Sequence, residues 1–74
     1  MTSNRTEMWD SDEGGIPHFG YFIYPYHDAT VDKYFCEILD KENGWETIRF
    51  ASVTEAIEAA KKWIETADQS LILN

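Results

Sequence analysis

The pattern of apolar and polar positions predicts one amphipathic helix over residues 52–67 (SVTEAIEAAKKWIETA). Apolar side chains recur there at the i, i+3, i+4, i+7 spacing of a helix with one buried face. At 3.6 residues per turn they fall within an arc of roughly 120°. Ser52 and Glu55 have the spacing of a capping box, which begins a helix by satisfying free backbone N–H groups. The apolar positions are Val53, Ala56, Ile57, Ala60, Trp63, Ile64 and Ala67.

Three segments upstream have the aromatic and β-branched content of strands. The first lies within residues 18–28 (HFGYFIYPYHD), where Pro25 is expected at a sheet edge or at the end of the strand because it has no N–H. A turn over 27–32 leads to a second strand over 33–40. The short loop 41–44 (KENG), whose Asn-Gly pair is a hairpin-turn signal, joins it to a third over 45–51, so these two should pair antiparallel.

Together these elements predict an α+β domain over residues 16–74. Its sheet is three-stranded and antiparallel, with one C-terminal helix packed on one face (β-β-β-α). Strict two-residue alternation places Cys36, Ile38, Ile48 and Phe50 beneath the helix. The last residues, 68–74, are expected to return as a short extra C-terminal strand or to cover the sheet. Residues 1–15 are polar and acidic without any period, and are predicted to be a disordered arm.

Composition narrows the classes of partner. The formal charge is −8, from 14 acidic and 6 basic side chains, and phosphate backbones repel such a chain. Nucleic acid is therefore a disfavoured partner, whereas a basic partner fits. No apolar run approaches the ~20 residues of a membrane span, so no membrane partner is predicted. Cys36 is the one cysteine, and a single thiol without a signal peptide favours the cytoplasm.

Candidate chemistry is sparse. His18, His27 and Cys36 lack the spacing of a metal site or a nucleophilic site. Glu58 and Glu65 belong to the solvated side of the helix, and no glycine-rich phosphate loop precedes a helix. The sequence therefore predicts a non-enzymatic protein with no catalytic residues, no metal and no cofactor.

One helix can cover one face of such a sheet, and exposed apolar patches usually mark an interface. The open face is therefore predicted to bind another protein or a second copy of the chain, although the tail is an alternative cover. The predicted interface residues are Phe35, Glu37, Leu39, Trp45, Thr47, Arg49 and Tyr24.

Residues 34–67 resemble the DNA-binding domain of plant ethylene-response factors and the amino-terminal arm-binding domain of phage integrases. The resemblance implies three strands followed by an alanine-rich helix. Those families read the major groove with Arg and Trp on the open face. Here that face is expected to carry Trp45 and Arg49 together with Glu37, and the first strand has no Arg or Lys. The matching residues are Glu37, Ile38, Asp40, Phe50, Thr54, Glu55, Ala56, Ala59 and Ala60.

Two further functional hypotheses remain open at this point. The first is a small acidic inhibitor or nucleic-acid mimic of the phage type, whose carboxylates stand in for phosphates. That hypothesis needs a line of carboxylates at a phosphate-like spacing of ~6–7 Å. The second is nucleic-acid binding by analogy of fold. The interaction module is the primary prediction.

Overall fold

A computed structural model of the chain describes the backbone of residues 5–7 and all atoms of residues 15–73. Within these residues, five short strands, one α-helix and one 3₁₀ turn follow each other. They are β1 (Arg5–Glu7), β2 (Ile16–His18), β3 (Tyr21–Asp28), β4 (Lys33–Leu39), β5 (Gly44–Glu46), α1 (Val53–Thr66) and the 3₁₀ turn Gln69–Leu71. No helix within these described ranges is long and apolar enough to cross a membrane.

The α+β class, the antiparallel pairing and the C-terminal helix are confirmed, but the three-stranded sheet is wrong. The described sheet is four strands wide, because β1 and β2 share one position beside β3, and β4 and β5 follow on its other side. The missed position comes from the amino-terminal third of the chain. Arg5–Glu7 is a strand in a segment predicted to be a disordered arm. The rest of that segment up to residue 14, including Met8 and Trp9, lies outside the described residues.

A two-residue turn at Phe19 and Gly20 joins β2 to β3, and both residues have positive φ (50° and 84°). Positive φ at both central residues is the requirement of a type I′ hairpin turn. Sequence reasoning placed Phe19 inside a strand, because a bulky aromatic residue is not a turn signal. The short strand β2 was missed for the same reason.

Pro25 lies inside β3, so the expectation that it ends the strand is wrong, and the alternative of an edge position remains. Its partner across the β3–β4 ladder is Cys36, whose N–H and C=O point to Thr47 on the far side. Pro25 therefore directs its backbone away from β4. On that side β2 pairs up to Ile23 and β1 begins to pair at Tyr26, so the proline falls in the interval between them. No ladder hydrogen bond is lost, and the strand continues.

One extra residue interrupts the strand that follows β5. Glu37 pairs with Glu46, and Tyr34 pairs with Phe50, so three steps on β4 match four steps on the partner segment. Such a bulge reverses the alternation of side chains beyond it. As a result Trp45 and Phe50 both pack against the core beneath α1. Cys36 and Ile38 lie there as predicted, fully buried.

Helix α1 begins and ends where the sequence indicates. The Ser52 hydroxyl accepts the Glu55 N–H at 3.2 Å, and Ala67 ends the helix in the left-handed region with φ 58°. Small side chains at Ala56, Ala59 and Ala60 are buried and bring the helix close to the sheet. Each fully buried aliphatic side chain of the sheet beneath them contributes about 1.5–3 kcal/mol before the cost in conformational entropy.

The carboxyl-terminal tail returns to the outer edge of the sheet. The Ile48 N–H donates to the Leu71 carbonyl (3.0 Å), and the Leu73 N–H donates to the Glu46 carbonyl (2.8 Å). Between them Ile72 forms one antiparallel bridge with Thr47. The extra C-terminal strand that the sequence suggested is thus reduced to a single bridge, which still occupies hydrogen-bonding groups along this edge.

Candidate protein-binding face

The sheet has one face under α1 and one face away from it, called here the helix-free face. Directly paired residues of antiparallel strands share a face, so the register assigns each side chain. Ile23, Ile38 and Trp45 are directly paired across β3, β4 and β5, and their side chains lie on the helix side. The residues next to them on each strand have their side chains on the other face. The helix-free face carries Pro17, Phe22, Tyr24, Tyr26, Asp28, Lys33, Phe35, Glu37, Leu39, Glu46 and Arg49.

One end of this face is closed, and we call it the sealed half (Tyr26, Asp28, Phe35, Glu46 and Arg49). Phe35 is fully buried although α1 lies on the other face of the sheet. The Tyr26 ring stacks beside it at 5.5 Å between centroids, and the Arg49 guanidinium carbon lies 3.9 Å from the centre of the Phe35 ring. A guanidinium over an aromatic face is attracted by the ring quadrupole.

Two carboxylates hold Arg49 in this position. Its Nε donates to Asp28 Oδ2 at 2.9 Å, and its Nη1 donates to Glu46 Oε2 at 2.7 Å. The hydrogen bond from Arg49 is the main reason that the pKa of Asp28 lies below its ordinary value, and the Thr30 N–H adds to the effect. Charge-assisted bonds to a planar fork fix direction as well as distance. The Arg49 guanidinium is therefore held in place over the Phe35 ring, where it helps to close the sealed half.

The other end of the face is apolar and partly exposed. Pro17, Phe22 and Leu39 lie side by side on three neighbouring strands, and we call them the apolar row. Pro17 is exposed, Phe22 keeps 42% of its surface exposed, and Leu39 is half-buried. The row ends at Gly44, where a Cβ would lie only 2.7 Å from a Leu39 methyl carbon. The glycine thus lets Leu39 lie flat at the border of the row.

Two of the predicted interface residues do not lie on this face. The Trp45 ring is on the helix side, 4.8 Å from the Trp63 ring and 5.9 Å from Tyr21. Thr47 is fully buried, and its hydroxyl accepts the Cys36 N–H at 3.0 Å and donates to the Ile48 carbonyl at 2.9 Å. The prediction that they face outwards is wrong, because it assumed uninterrupted alternation from Phe50 back to Trp45.

The remaining predicted residues do lie on the helix-free face, with different degrees of access. Leu39 belongs to the apolar row, whereas Phe35 and Arg49 belong to the sealed half. Tyr24 and Glu37 pair between the two halves and are half-buried. Glu37 accepts the Tyr26 hydroxyl at 3.4 Å. Of the predicted residues, Leu39 thus lies in the accessible apolar row, and Tyr24 and Glu37 lie next to it.

Sequence reasoning missed the two most exposed members of the apolar row. Pro17 precedes the segment 18–28 that was predicted to hold the first strand, so β2 and its pairing were not anticipated. Phe22 was one of several aromatic residues in a strand whose two faces are both apolar, which leaves its orientation undetermined by alternation. The signal that could have found it is Pro25, because a buried proline opposite Cys36 fixes which face of β3 lies inside.

The titratable groups considered as chemical candidates are engaged or buried. Burial raises the pKa of the Cys36 thiol to about 12, so the reactive thiolate is absent at neutral pH. His18 Nε2 lies 2.7 Å from Glu65 Oε2, and His27 Nε2 lies 2.9 Å from Asp32 Oδ1. Among the described residues, no three His, Cys, Asp or Glu side chains gather as a metal site requires.

Comparisons with known proteins give no relative for the chain. No protein family matches it, and no curated protein or solved structure matches it either. The functional argument therefore depends on the geometry of the face alone.

Proposed function

We propose that this chain is a small non-enzymatic interaction module that binds another protein through the apolar row of its helix-free face. The observation that carries the proposal is the 42% exposure of Phe22 between Pro17 and Leu39. A large aromatic side chain at the centre of an exposed apolar group is the usual composition of a binding hot spot. The neighbouring pair of Tyr24 and Glu37 supplies the polar border expected around such a centre.

Charge favours a foreign partner over a second copy. Two copies of a chain with a formal charge of −8 repel each other, whereas a protein with a basic surface is attracted. On the apolar row itself no Lys or Arg is present, so it presents no cation to an acidic partner. We place this activity in the cytoplasm, where a single buried thiol at Cys36 stays reduced.

The test replaces Phe22 with glutamate and uses Val31→Glu as the matched control. Val31 has a similar exposure, 49%, but lies in the turn between β3 and β4. A partner captured from the native host is purified, and its affinity is measured by titration calorimetry. Phe22→Glu should weaken binding at least about tenfold, as expected for a hot-spot residue, and Val31→Glu should leave it unchanged.

Two results would change this conclusion. Equal affinities for the wild type and Phe22→Glu would contradict the proposal. Sedimentation at several concentrations tests the second-copy alternative. A mass that doubles in the wild type and not in Phe22→Glu would replace the foreign partner with a homodimer.

A further inference from the structure

The tip of the β2–β3 hairpin carries a residue that the fold itself does not favour. Phe19 has φ 50°, a left-handed conformation that suits Asn or Gly and is an outlier for a bulky side chain. Its side chain is also 75% exposed, the highest value among the exposed large hydrophobic residues described. Its ring contacts the adjacent His18 ring edge-on at 4.8 Å. The left-handed backbone of Phe19 costs stability, its exposed ring contributes little burial in return, and strained residues of this kind concentrate at functional sites.

A groove opens between this hairpin tip and the last turns of α1. It is lined by Phe19, Ile64 and Glu65, and we call it the tip groove. Ile64 is half-buried and supplies an apolar wall opposite Phe19. The contact of 2.7 Å between His18 and Glu65 ties the hairpin to the helix, so the two walls are held together.

The electrostatics of the tip groove favour a cation. The Glu65 side chain keeps 48% of its surface exposed beside the apolar walls. Helix α1 has no basic residue in its last turn, and the carboxyl end of a helix carries partial negative charge. The overall charge of −8 acts in the same direction.

From these observations we infer that the tip groove binds a short basic segment of a partner protein. One large apolar side chain of the segment packs between Phe19 and Ile64, and a neighbouring Lys or Arg pairs with Glu65. The inference rests on the proposed function in one respect, that the ligand is a protein. It concerns a different surface, because Phe19 lies at the turn and Phe22 lies in the apolar row.

Stability supplies the first test. The variant Phe19→Asn creates an Asn-Gly turn, which is the preferred sequence for two residues of positive φ. Its urea midpoint should equal or exceed that of the wild type, because the strained residue is removed and little buried surface is lost. A clearly lower midpoint would show that Phe19 serves the fold, and it would overturn the inference.

Binding supplies the second test. A display library of short random peptides is selected on the wild-type protein, and the affinities of the enriched peptides are measured for each variant. We expect an aromatic or aliphatic residue next to Lys or Arg in the enriched sequences. Phe19→Asn should weaken their binding about tenfold or more. Glu65→Gln, which retains a hydrogen-bonding oxygen for His18, should weaken it several-fold, and added salt should do the same.

The variant Phe22→Glu separates this inference from the proposed function. Peptides whose binding depends on Phe22 and not on Phe19 would overturn the inference about the tip groove and would leave the proposed function of the apolar row unaffected. Peptides that depend on Phe19 but lack basic residues, or that ignore Glu65→Gln, would overturn the assigned chemistry of the partner. A selection without any peptide that depends on either residue would count against both proposals.

Discussion

Phe22 and Phe35 are the same residue type on the same face of the same sheet, one on β3 and one on β4, yet their surroundings differ. Phe22 is 42% exposed, and Phe35 is fully buried. Helix α1 lies on the other side of the sheet from both rings. One difference among the described residues is Arg49, whose guanidinium lies 3.9 Å from the centre of the Phe35 ring and is held by Asp28 and Glu46. A cation that two anions hold in place thus helps to close one end of an aromatic sheet face, together with the stacked Tyr26 ring.

The largest expected effect separates the two phenylalanines directly. Phe35→Ala should lower the free energy of unfolding by about 3–5 kcal/mol, because it empties a fully buried site. Phe22→Ala should cost less than half as much, since much of its ring already contacts water. Urea titration followed by tryptophan fluorescence measures both. Equal losses for the two variants would show that the face is not divided in this way.

A smaller effect is expected when the cover is removed and the ring is kept. Arg49→Ala deletes two charge-assisted hydrogen bonds and should lower the free energy of unfolding by about 1.5–3 kcal/mol. It should also expose Phe35, which an environment-sensitive apolar dye detects at native conditions. Arg49→Lys keeps the charge but loses the planar fork, so it should fall between the alanine variant and the wild type. A lysine variant as stable as the wild type would mean that charge alone closes this half.

The smallest effect concerns one of the two anions and depends on pH. Because Arg49 lowers the pKa of Asp28 below its ordinary value of 3.8, the carboxylate stabilises the fold above that pH. This stabilisation is lost as the pH falls through the lowered pKa of the folded protein. Asp28→Asn should therefore be less stable than the wild type at pH near 7, and the difference should vanish in strong acid.

Glu42→Gln is the control for this experiment, because it removes the same charge from an exposed loop position. Thermal midpoints of the three proteins across the acid range give the comparison. A difference between Asp28→Asn and the wild type that does not shrink between neutral pH and strong acid would contradict the assigned role of the ion pair.

Much of the fold could be predicted from local signals. The apolar spacing of α1 and its Ser52 cap are short-range properties, and the structure reproduces them. The pairing of β4 with β5 follows from a short loop, although Asp40 rather than the Asn-Gly pair organises that loop. Its carboxylate accepts the N–H groups of Glu42 and Asn43 at 2.8 and 2.6 Å. Asp40 thereby organises the loop, a role that was predicted for the Asn-Gly pair at residues 43–44.

The errors arose where one residue broke a period or a propensity. The bulge before Phe50 reverses alternation, and nothing in the letters between Trp45 and Phe50 marks it. The turn at Phe19 uses a residue with a poor propensity for positive φ, so neither β2 nor the exposed Pro17 could be placed. Five of the seven predicted interface residues lie on the side of the sheet away from α1. The accessible part of that face was not predicted, because it depends on contacts between residues distant in sequence, such as that of Arg49 with Phe35.

The two prolines of the sheet have a consequence for how this protein can associate. His18 and Tyr21 flank the two-residue turn and face each other, so the backbone of Pro17 points outwards from β2. At this point, and at Pro25 in the interval between β1 and β2, the edge has no amide hydrogen to offer. On the opposite edge the tail already occupies groups of Glu46 and Ile48. A fibril grows by repeated backbone pairing at such edges, and the two prolines remove donors from that pairing at their own positions.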